Sequence, residues 1–247
     1  MIIPAYNEEQ RLPGSLADIV AWIGTVPYGV EVLVVENGSS DRTTEVAESF
    51  AAQHKNIRVL HSAKGKGAAV REGMLRGRGE YLFICDSDLS MPIVEVEKFL
   101  PPQLQGYDVA IASREAPGAV RYDEPEYRHI MGRVFNFIVR VLAVPGFHDT
   151  QCGFKMFKKD IAAEVFAQQT ITGWTFDVEA LYLALKQNAR VVEVPVNWYF
   201  DADSRVDPLR DTWQMFWDVV RIRLNDLRGV YQQPPQPPAV NQAVTEI

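Results

Sequence analysis

Apolar positions in the first half of the chain fall into short unbroken runs, separated by longer stretches in which they recur every three or four residues. The runs lie at 1–4, 31–35, 57–61, 80–86 and 109–113 and are continuous rather than alternating, as in strands covered on both faces. Between them, 8–23, 41–53, 67–77 and 93–104 carry helical spacing. This alternation predicts βαβ crossovers and an α/β fold: a doubly wound, mostly parallel sheet with helices on both faces. The second half is less regular. Residues 116–125, rich in Gly, Pro and charge, read as a loop, 127–144 as an amphipathic helix, 152–157 and 190–196 as strands, and 176–187 as a helix. A last amphipathic helix is predicted over 208–227, with Trp213, Phe216, Trp217, Val220 and Leu224 at helical spacing. The Pro/Gln-rich segment 232–247 reads as a disordered tail, which leaves 1–231 as a single domain.

Polar chemistry concentrates where the strands end. The run Tyr81-Leu82-Phe83-Ile84-Cys85 stops at Asp86-Ser87-Asp88, and two carboxylates one residue apart repel unless a cation or solvent offsets the charge. At the carboxyl edge of an open α/β sheet, where ligands bind, Mg2+ or Mn2+ suits such oxygen ligands. The plainer role open to Asp88 is to cap the helix that follows Pro92. Three more strand ends are polar: Pro4-Ala5-Tyr6-Asn7-Glu8-Glu9, Glu36-Asn37-Gly38-Ser39-Ser40-Asp41 and Lys64-Gly65-Lys66-Gly67-Ala68-Ala69. Singly, each has an ordinary reading: Glu8 as a first-turn acid, Asn37-Gly38 as a turn, Lys64 and Lys66 as solvated charges. Connectivity, however, brings all four to one side of the sheet.

Gly65 and Gly67 allow close backbone approach to a phosphate where a helix begins. The segment lacks the Gly-Lys-Ser/Thr ending of an ATP-binding loop, and it follows the third strand instead of the first. Kinase, ATPase and dinucleotide dehydrogenase readings are weakened accordingly.

Composition mainly excludes. A net charge of −7 and the absence of a long basic stripe argue against a nucleic-acid partner. No apolar stretch approaches the roughly 20 residues of a membrane-spanning helix, and Met1 leads straight into strand-like residues, which predicts no leader segment. The two cysteines, Cys85 and Cys152, are too few for a Cys-type zinc site and read as structural thiols of a cytoplasmic protein.

Taken together and in order, Pro4–Glu9, Glu36–Asp41, the segment 64–69, Asp86-Ser87-Asp88 and Asp149-Thr150-Gln151-Cys152-Gly153-Phe154-Lys155 resemble a family 2 glycosyltransferase. The resemblance is strongest to the dolichyl- or polyprenyl-phosphate glucosyltransferases, with mannose synthases as related members, and it covers 1–231. It implies a GT-A fold and a nucleotide-diphosphate sugar, with UDP-glucose as the donor. Pro4, Ala5, Tyr6, Asn7, Glu8, Glu36, Gly38 and Ser39 would cradle base and ribose, and Lys64, Gly65, Lys66 and Gly67 would lie near the nucleotide. Asp86, Ser87 and Asp88 would face the diphosphate, the two aspartates holding Mg2+ or Mn2+. Where many members have paired aspartates this chain has Glu36-Asn37, and where the mannosyl branch has a metal-binding Gln it has Ser90.

Arg114 and Arg128 align with residues that grip the acceptor phosphate, a task suited to a planar, permanently charged fork. Arg121 and Arg133 read as solvated surface charges, and Arg140 as a snorkelling one. The implied reaction is an inverting transfer to a polyprenyl phosphate, with Asp88, Arg114 and Arg128 as the catalytic set. Two readings compete with it. One is transfer to a sugar or small-molecule hydroxyl with Asp177 or Glu179 as base, although both acids also suit the first turn of a helix. The other is a nucleotide-sugar-binding module without catalysis. A lipid acceptor implies a peripheral protein at the cytoplasmic face of a membrane. Val134, Phe135, Phe137, Ile138, Val141 and Leu142 offer the docking face; Trp213, Phe216 and Trp217 offer a second contact or, as the favoured reading, pack on the core.

Overall fold

Because successive side chains of a strand point to opposite faces, a continuous apolar strand must be covered twice. That condition builds the layers of this protein. The computed structural model describes residues 1–201 and 210–232; positions 208–209 of the last expected helix, and the expected tail from 233 onward, lie outside the described residues. On one face, Ile2, Leu33, Val35, Leu82, Ile84, Val109 and Ile111 pack against helices α3 (Lys66–Arg76), α4 (Glu126–Leu142), α5 (Lys159–Gln168), α6 (Phe176–Lys186) and α7 (Arg210–Leu227). On the other, Ile3, Val32, Val34, Phe83, Cys85, Ala110 and Ala112 meet α1 (Leu12–Ile23), α2 (Thr43–Gln53) and a 3-10 helix at Ile93–Phe99.

The strands are β1 (Ile2–Ala5), β2 (Val32–Glu36), β3 (Ile57–His61), β4 (Tyr81–Ile84), β5 (Val109–Ser113), β6 (Val120–Tyr122), β7 (Lys155–Lys158), β8 (Val191–Pro195) and β9 (Asn197–Tyr199). Seven form one sheet in the order β3-β2-β1-β4-β7-β5-β8. Parallel pairing sets Ala5 beside Glu36 and Ile2 beside Ile84. The chain builds outward from β1 on one side and then jumps to β4 on the other. The crevice between the carboxyl ends of β1 and β4 is therefore a topological switch point, the place where such sheets bind ligands.

β7 alone runs against its neighbours, with Met156 opposite Phe83 on β4 and Ala110 on β5. Its leading segment, 149–154, consequently arrives at the carboxyl edge of the other strands. A separate two-stranded sheet pairs β6 with β9 in parallel.

The structure corrects four expectations. The segment 93–104 is not an α-helix: it holds one 3-10 stretch and then turns, because Pro101 and Pro102 carry no amide hydrogen to continue a helix. The loop 116–125 contains β6. Helix α5 follows β7 without a turn, so its periodicity merged into that of the strand. Finally, β9 extends past the expected end of the last strand.

Gly67 sits where α3 meets the loop 169–173, donating its amide to the Thr172 carbonyl at 2.9 Å. A Cβ there would fall 2.7 Å from both the Ile171 carbonyl oxygen and the Phe176 Cβ. Gly67→Ala should destabilise the protein by about 1–3 kcal/mol, measured by urea unfolding. Gly14, on an open stretch of α1 with nothing within 4 Å, supplies the contrast: Gly14→Ala should stabilise by about 0.5–1 kcal/mol.

Candidate active site

The carboxyl edge encloses a cleft of about 620 Å³ lined by Pro4, Tyr6, Lys64, Lys66, Asp86, Asp88, Arg114, Arg128, Trp174 and Asp177, among others. The loops after β1 and β2 are laced together behind it. Asn7 takes the left-handed backbone conformation (φ 54°), which lets its amide donate to Ser39 Oγ at 3.0 Å while its Oδ1 accepts from the Ser40 amide at 2.8 Å. The Glu8 amide donates to Thr43 Oγ1 at 2.7 Å and the Glu9 amide to Asp41 at 3.1 Å. Glu8 also binds Arg11, whose other arm holds Asp201 at 2.7 Å.

Glu36 is buried beneath this lacing. Burial opposes its charge, but donors at Ser39 and His61 hold its carboxyl below the usual range. Ala5, Asn7, Glu36, Gly38, Ser39 and Gly67 thus stand behind the wall as its support, while Pro4, Tyr6, Glu8, Lys64, Gly65, Lys66 and Ser87 line it. Asn37, not among the expected site residues, reaches the cleft buried, with its Oδ1 unpartnered. Lys64 extends over the Tyr6 ring, 4.9 Å from its centre.

The acid pair follows β4 directly, and α1 fixes its backbone through Ser15 Oγ, which donates to the Ser87 carbonyl at 2.6 Å. Asp88 does not cap the following helix. Its Oδ1 accepts from the Ser90 amide at 2.9 Å, and the 3-10 stretch begins at Ile93, with Pro92 at the cap position and no side-chain cap. Partial desolvation at the cleft wall, reinforced by the neighbouring Asp86 charge, raises the pKa of Asp88 although its side chain reaches solvent. Asp86 meets Lys66, whose Nζ lies 2.6 Å from its Oδ1. The contact is an ion pair outside hydrogen-bond angles, since that oxygen has no aligned donor. This pairing sets aside the ordinary alternative for Lys66, a solvated charge. Across the cleft floor, a Cβ at Gly153 would fall 1.9 Å from Asp86 Oδ2, so only glycine leaves the carboxylate its place.

Arginines occupy another part of the lining. Arg114 is clamped by Asp149: Nε to Oδ2 at 2.7 Å, Nη2 to Oδ1 at 3.0 Å, with the Arg114 amide also on Oδ2 at 3.0 Å. Burial opposes both charges, yet mutual attraction wins, raising the Arg114 pKa and depressing that of Asp149 far below the carboxylate range. Arg121 is not a solvated surface charge either. It bonds Glu115 and Glu124 and faces the Trp198 ring at 5.9 Å. Arg128 differs, because its Nε is buried without a partner and its guanidinium lies 5.2 Å from the Phe200 ring centre. Arg133 lines the same cleft.

The two candidate bases separate. Asp177 lines the cleft and accepts from Lys155 Nζ at 3.3 Å; burial raises its pKa, while Lys155 and Lys66 oppose that. Glu179 lies outside the lining, fully buried. Its oxygens accept from the Thr170 and Ile171 amides at 3.0 and 2.7 Å, from Thr170 Oγ1 at 2.6 Å and from the Tyr231 hydroxyl at 2.7 Å. Glu179 shapes the loop behind Gly67 and has no access to a substrate. Lys155, Asp149, Trp174 and Trp198 were missed as site residues; the sequence signal for the first two was the run 149–155, whose place at the edge depends on the direction of β7.

Asp149→Asn should destabilise the protein by about 3–5 kcal/mol at neutral pH, because Arg114 would stay buried without its counter-charge. A depressed carboxylate contributes stability above its unfolded pKa of about 4, and that contribution is lost as pH falls towards the lower folded value. The gap between wild type and Asp149→Asn in denaturant titrations should therefore narrow below about pH 4.

Residues 1–166 match the model for Glycosyl transferase family 2. The dolichyl-phosphate beta-glucosyltransferase of Drosophila melanogaster is 36% identical over 248 residues, covering 94% of this chain and 76% of its own. The human enzyme of the same name is 32% identical with the same coverage of each chain. Glucosyl-3-phosphoglycerate synthase of Mycobacterium tuberculosis, solved with Mn2+ and UDP-glucose, matches with a TM-score of 0.61 at 18% identity, over 94% of this chain and 78% of that one. Its UDP complex gives 0.64 at 19% identity, with coverages of 94% and 79%. At such identities the likeness concerns the fold, which is GT-A. With the family model spanning most of the cleft-forming strands and relatives matching nearly the whole chain, the protein belongs to glycosyl transferase family 2 and is a glycosyltransferase.

Proposed function

We propose that the protein transfers glucose from UDP-glucose to a polyprenyl phosphate of the dolichyl type, with inversion. The Drosophila and human relatives are named dolichyl-phosphate beta-glucosyltransferases, which supports glucose as the sugar and a dolichyl phosphate as the acceptor. The observation that carries the reading is that one cleft gathers an acid pair suited to a metal diphosphate and Arg128, whose buried Nε has no partner, suited to a second phosphate.

The acid pair fits a divalent ion chemically. Both groups are carboxylates, and among the described residues Asp86 Oδ1 is met by the Lys66 ammonium without an aligned donor. No group of three metal-ligating side chains occurs among the described residues, so Asp86 and Asp88 would share the ion with the diphosphate. When bound, such an ion neutralises charge on the leaving group. The loops after β1 and β2, with Tyr6 and Asn37 at the wall, hold the nucleoside, and Lys64 and Lys66 offer cations to phosphate oxygens.

Arg128 meets the acceptor phosphate, while Arg114, fixed by Asp149, and Arg121, fixed by its glutamates, form a rigid wall beside it whose charges are already paired. A phosphate monoester with its second pKa near 6 is about nine-tenths ionised at neutral pH, so it attacks the sugar without a general base. Asp177 then serves to hold Lys155 rather than to accept a proton.

The acceptor's lipid needs a membrane-facing surface, and α4 provides one beside the cleft. Tyr127, Ile130, Val134, Phe137 and Val141 form a stripe exposed by 57–66%, while Arg128, Met131 and Arg133 on the same helix line the cleft. Phe135, expected on the docking face, belongs to the core instead, and Ile138 is half-buried. On α7, which packs on α4, Trp213 and Trp217 are exposed by 65% and 54%, against the favoured reading that they pack on the core and in keeping with the alternative of a second contact. No helix among the described residues is long and apolar enough to cross a membrane. The surface docks reversibly through apolar area.

Four measurements test this reading. Labelled UDP-glucose and dolichyl phosphate should give label extractable into organic solvent; label moving only to a water-soluble hydroxyl acceptor would overturn the assignment. Asp88→Asn should lower turnover by roughly 10²–10³-fold, and Arg128→Ala should raise the lipid acceptor's KM by roughly 10–100-fold with donor binding intact. In liposome flotation, wild type should float with the vesicles and Val134→Glu/Phe137→Glu should remain in the dense fraction.

A further inference from the structure

Lys66 stands at the start of α3, and the helix start is immobilised. The Gly67 and Ala68 amides donate to the Thr172 carbonyl at 2.9 and 3.3 Å, and Gln169 Nε2 donates to the Gly67 carbonyl at 2.9 Å. From this fixed base the side chain crosses to Asp86, with its ammonium 5.3 Å from the Trp174 ring centre and 2.6 Å from Asp86 Oδ1. No other cationic side chain among the described residues pairs with Asp86 or Asp88. Lys155, the next lysine in the cleft, is taken by Asp177 and by the Cys152 carbonyl at 2.6 Å. One ammonium therefore balances two carboxylates, through a contact without hydrogen-bond alignment on an otherwise unpartnered oxygen.

We propose that Lys66 is a resident counter-cation that keeps free divalent metal off Asp86 until the nucleotide diphosphate arrives. The inference rests on Asp86 and Asp88 being the metal's protein ligands. Two cations cannot share Asp86 Oδ1 at van der Waals distance without strong repulsion in a half-buried site, so a metal ion gains that oxygen only when the ammonium leaves. The diphosphate provides the destination: its oxygens are acceptors for an ammonium whose flexible stem can swing while its backbone stays fixed. Donor and metal then bind together, and an ion lodged without donor is disfavoured. Lys66 acts as a positioning residue, and its effect on metal and on nucleotide should have opposite signs.

The test is Mn2+ binding followed by the paramagnetic resonance signal of the free ion, with and without UDP. Wild type should bind Mn2+ weakly alone and roughly tenfold or more tightly with UDP present. Lys66→Gln and Lys66→Met should bind Mn2+ alone roughly tenfold more tightly than wild type, yet bind UDP less tightly in saturating Mn2+. Lys66→Arg, which keeps the charge, should behave as wild type towards Mn2+ alone. If the neutral variants bind free Mn2+ no more tightly than wild type while UDP-dependent binding persists, the counter-cation role is overturned and the metal site stands. If Lys66→Arg tightens Mn2+ binding as the neutral variants do, space and not charge is responsible, and the proposal also falls. If wild type binds no Mn2+ even with UDP, the assignment of Asp86 and Asp88 as ligands fails, and the proposal with it.

Discussion

The direction of β7 is the constraint on which the cleft depends. Had this strand run parallel to β4 and β5, the segment before it would open at the far edge of the sheet. Running antiparallel, it delivers Asp149, Gln151, Gly153 and Lys155 to the edge where β1, β2, β4 and β5 release their loops. Asp149 then clamps Arg114 at the end of β5, Gly153 makes room for Asp86 at the end of β4, and Lys155 reaches Asp177 on α6. Each contact joins segments distant in sequence, and each is satisfied only in this register.

Electrostatics in the cleft follow from the same arrangement. The protein is acidic overall, with a net charge of −7, yet its functional edge is a set of local balances: Lys66 on Asp86, Lys155 on Asp177, Arg114 on Asp149, Arg121 on Glu115 and Glu124. Buried charges are tolerated only when paired, and pairing also fixes which cations stay available. Arg114 and Arg121 are rigid because their partners hold them. Arg128 is available because its Nε lacks a partner. Lys66 lies between these cases, paired with Asp86 through a contact outside hydrogen-bond alignment.

The apolar stripe on α4 gives the acceptor side its physical sense. An exposed row of aromatic and aliphatic side chains is unusual on a soluble surface and marks a place that is covered in use. Here the same helix carries Arg128 into the cleft, so a lipid tail lying along the stripe would present its phosphate to the site. The exposed tryptophans of α7 extend that surface on a neighbouring helix.

The sequence by itself determined the α/β alternation, the two-faced core and the polar strand ends. Those features are local: continuous apolar runs demand cover on both faces, and the loops 4–9, 36–41, 64–69 and 86–88 follow their strands directly. Family membership was legible for the same reason, since its motifs are short segments in fixed order. Tertiary structure alone decided what each charged side chain does. Asp177 and Glu179 sit two residues apart on one helix, yet helix rotation sends the first into the cleft and the second beneath a loop. Phe135 and Phe137 separate likewise, one to the core and one to the surface. Lys66 meets Asp86, twenty residues on, only because the start of α3 and the end of β4 reach the same sheet edge. Periodicity reports that a face exists; which partner covers it depends on contacts between segments far apart in the chain, which no local pattern records.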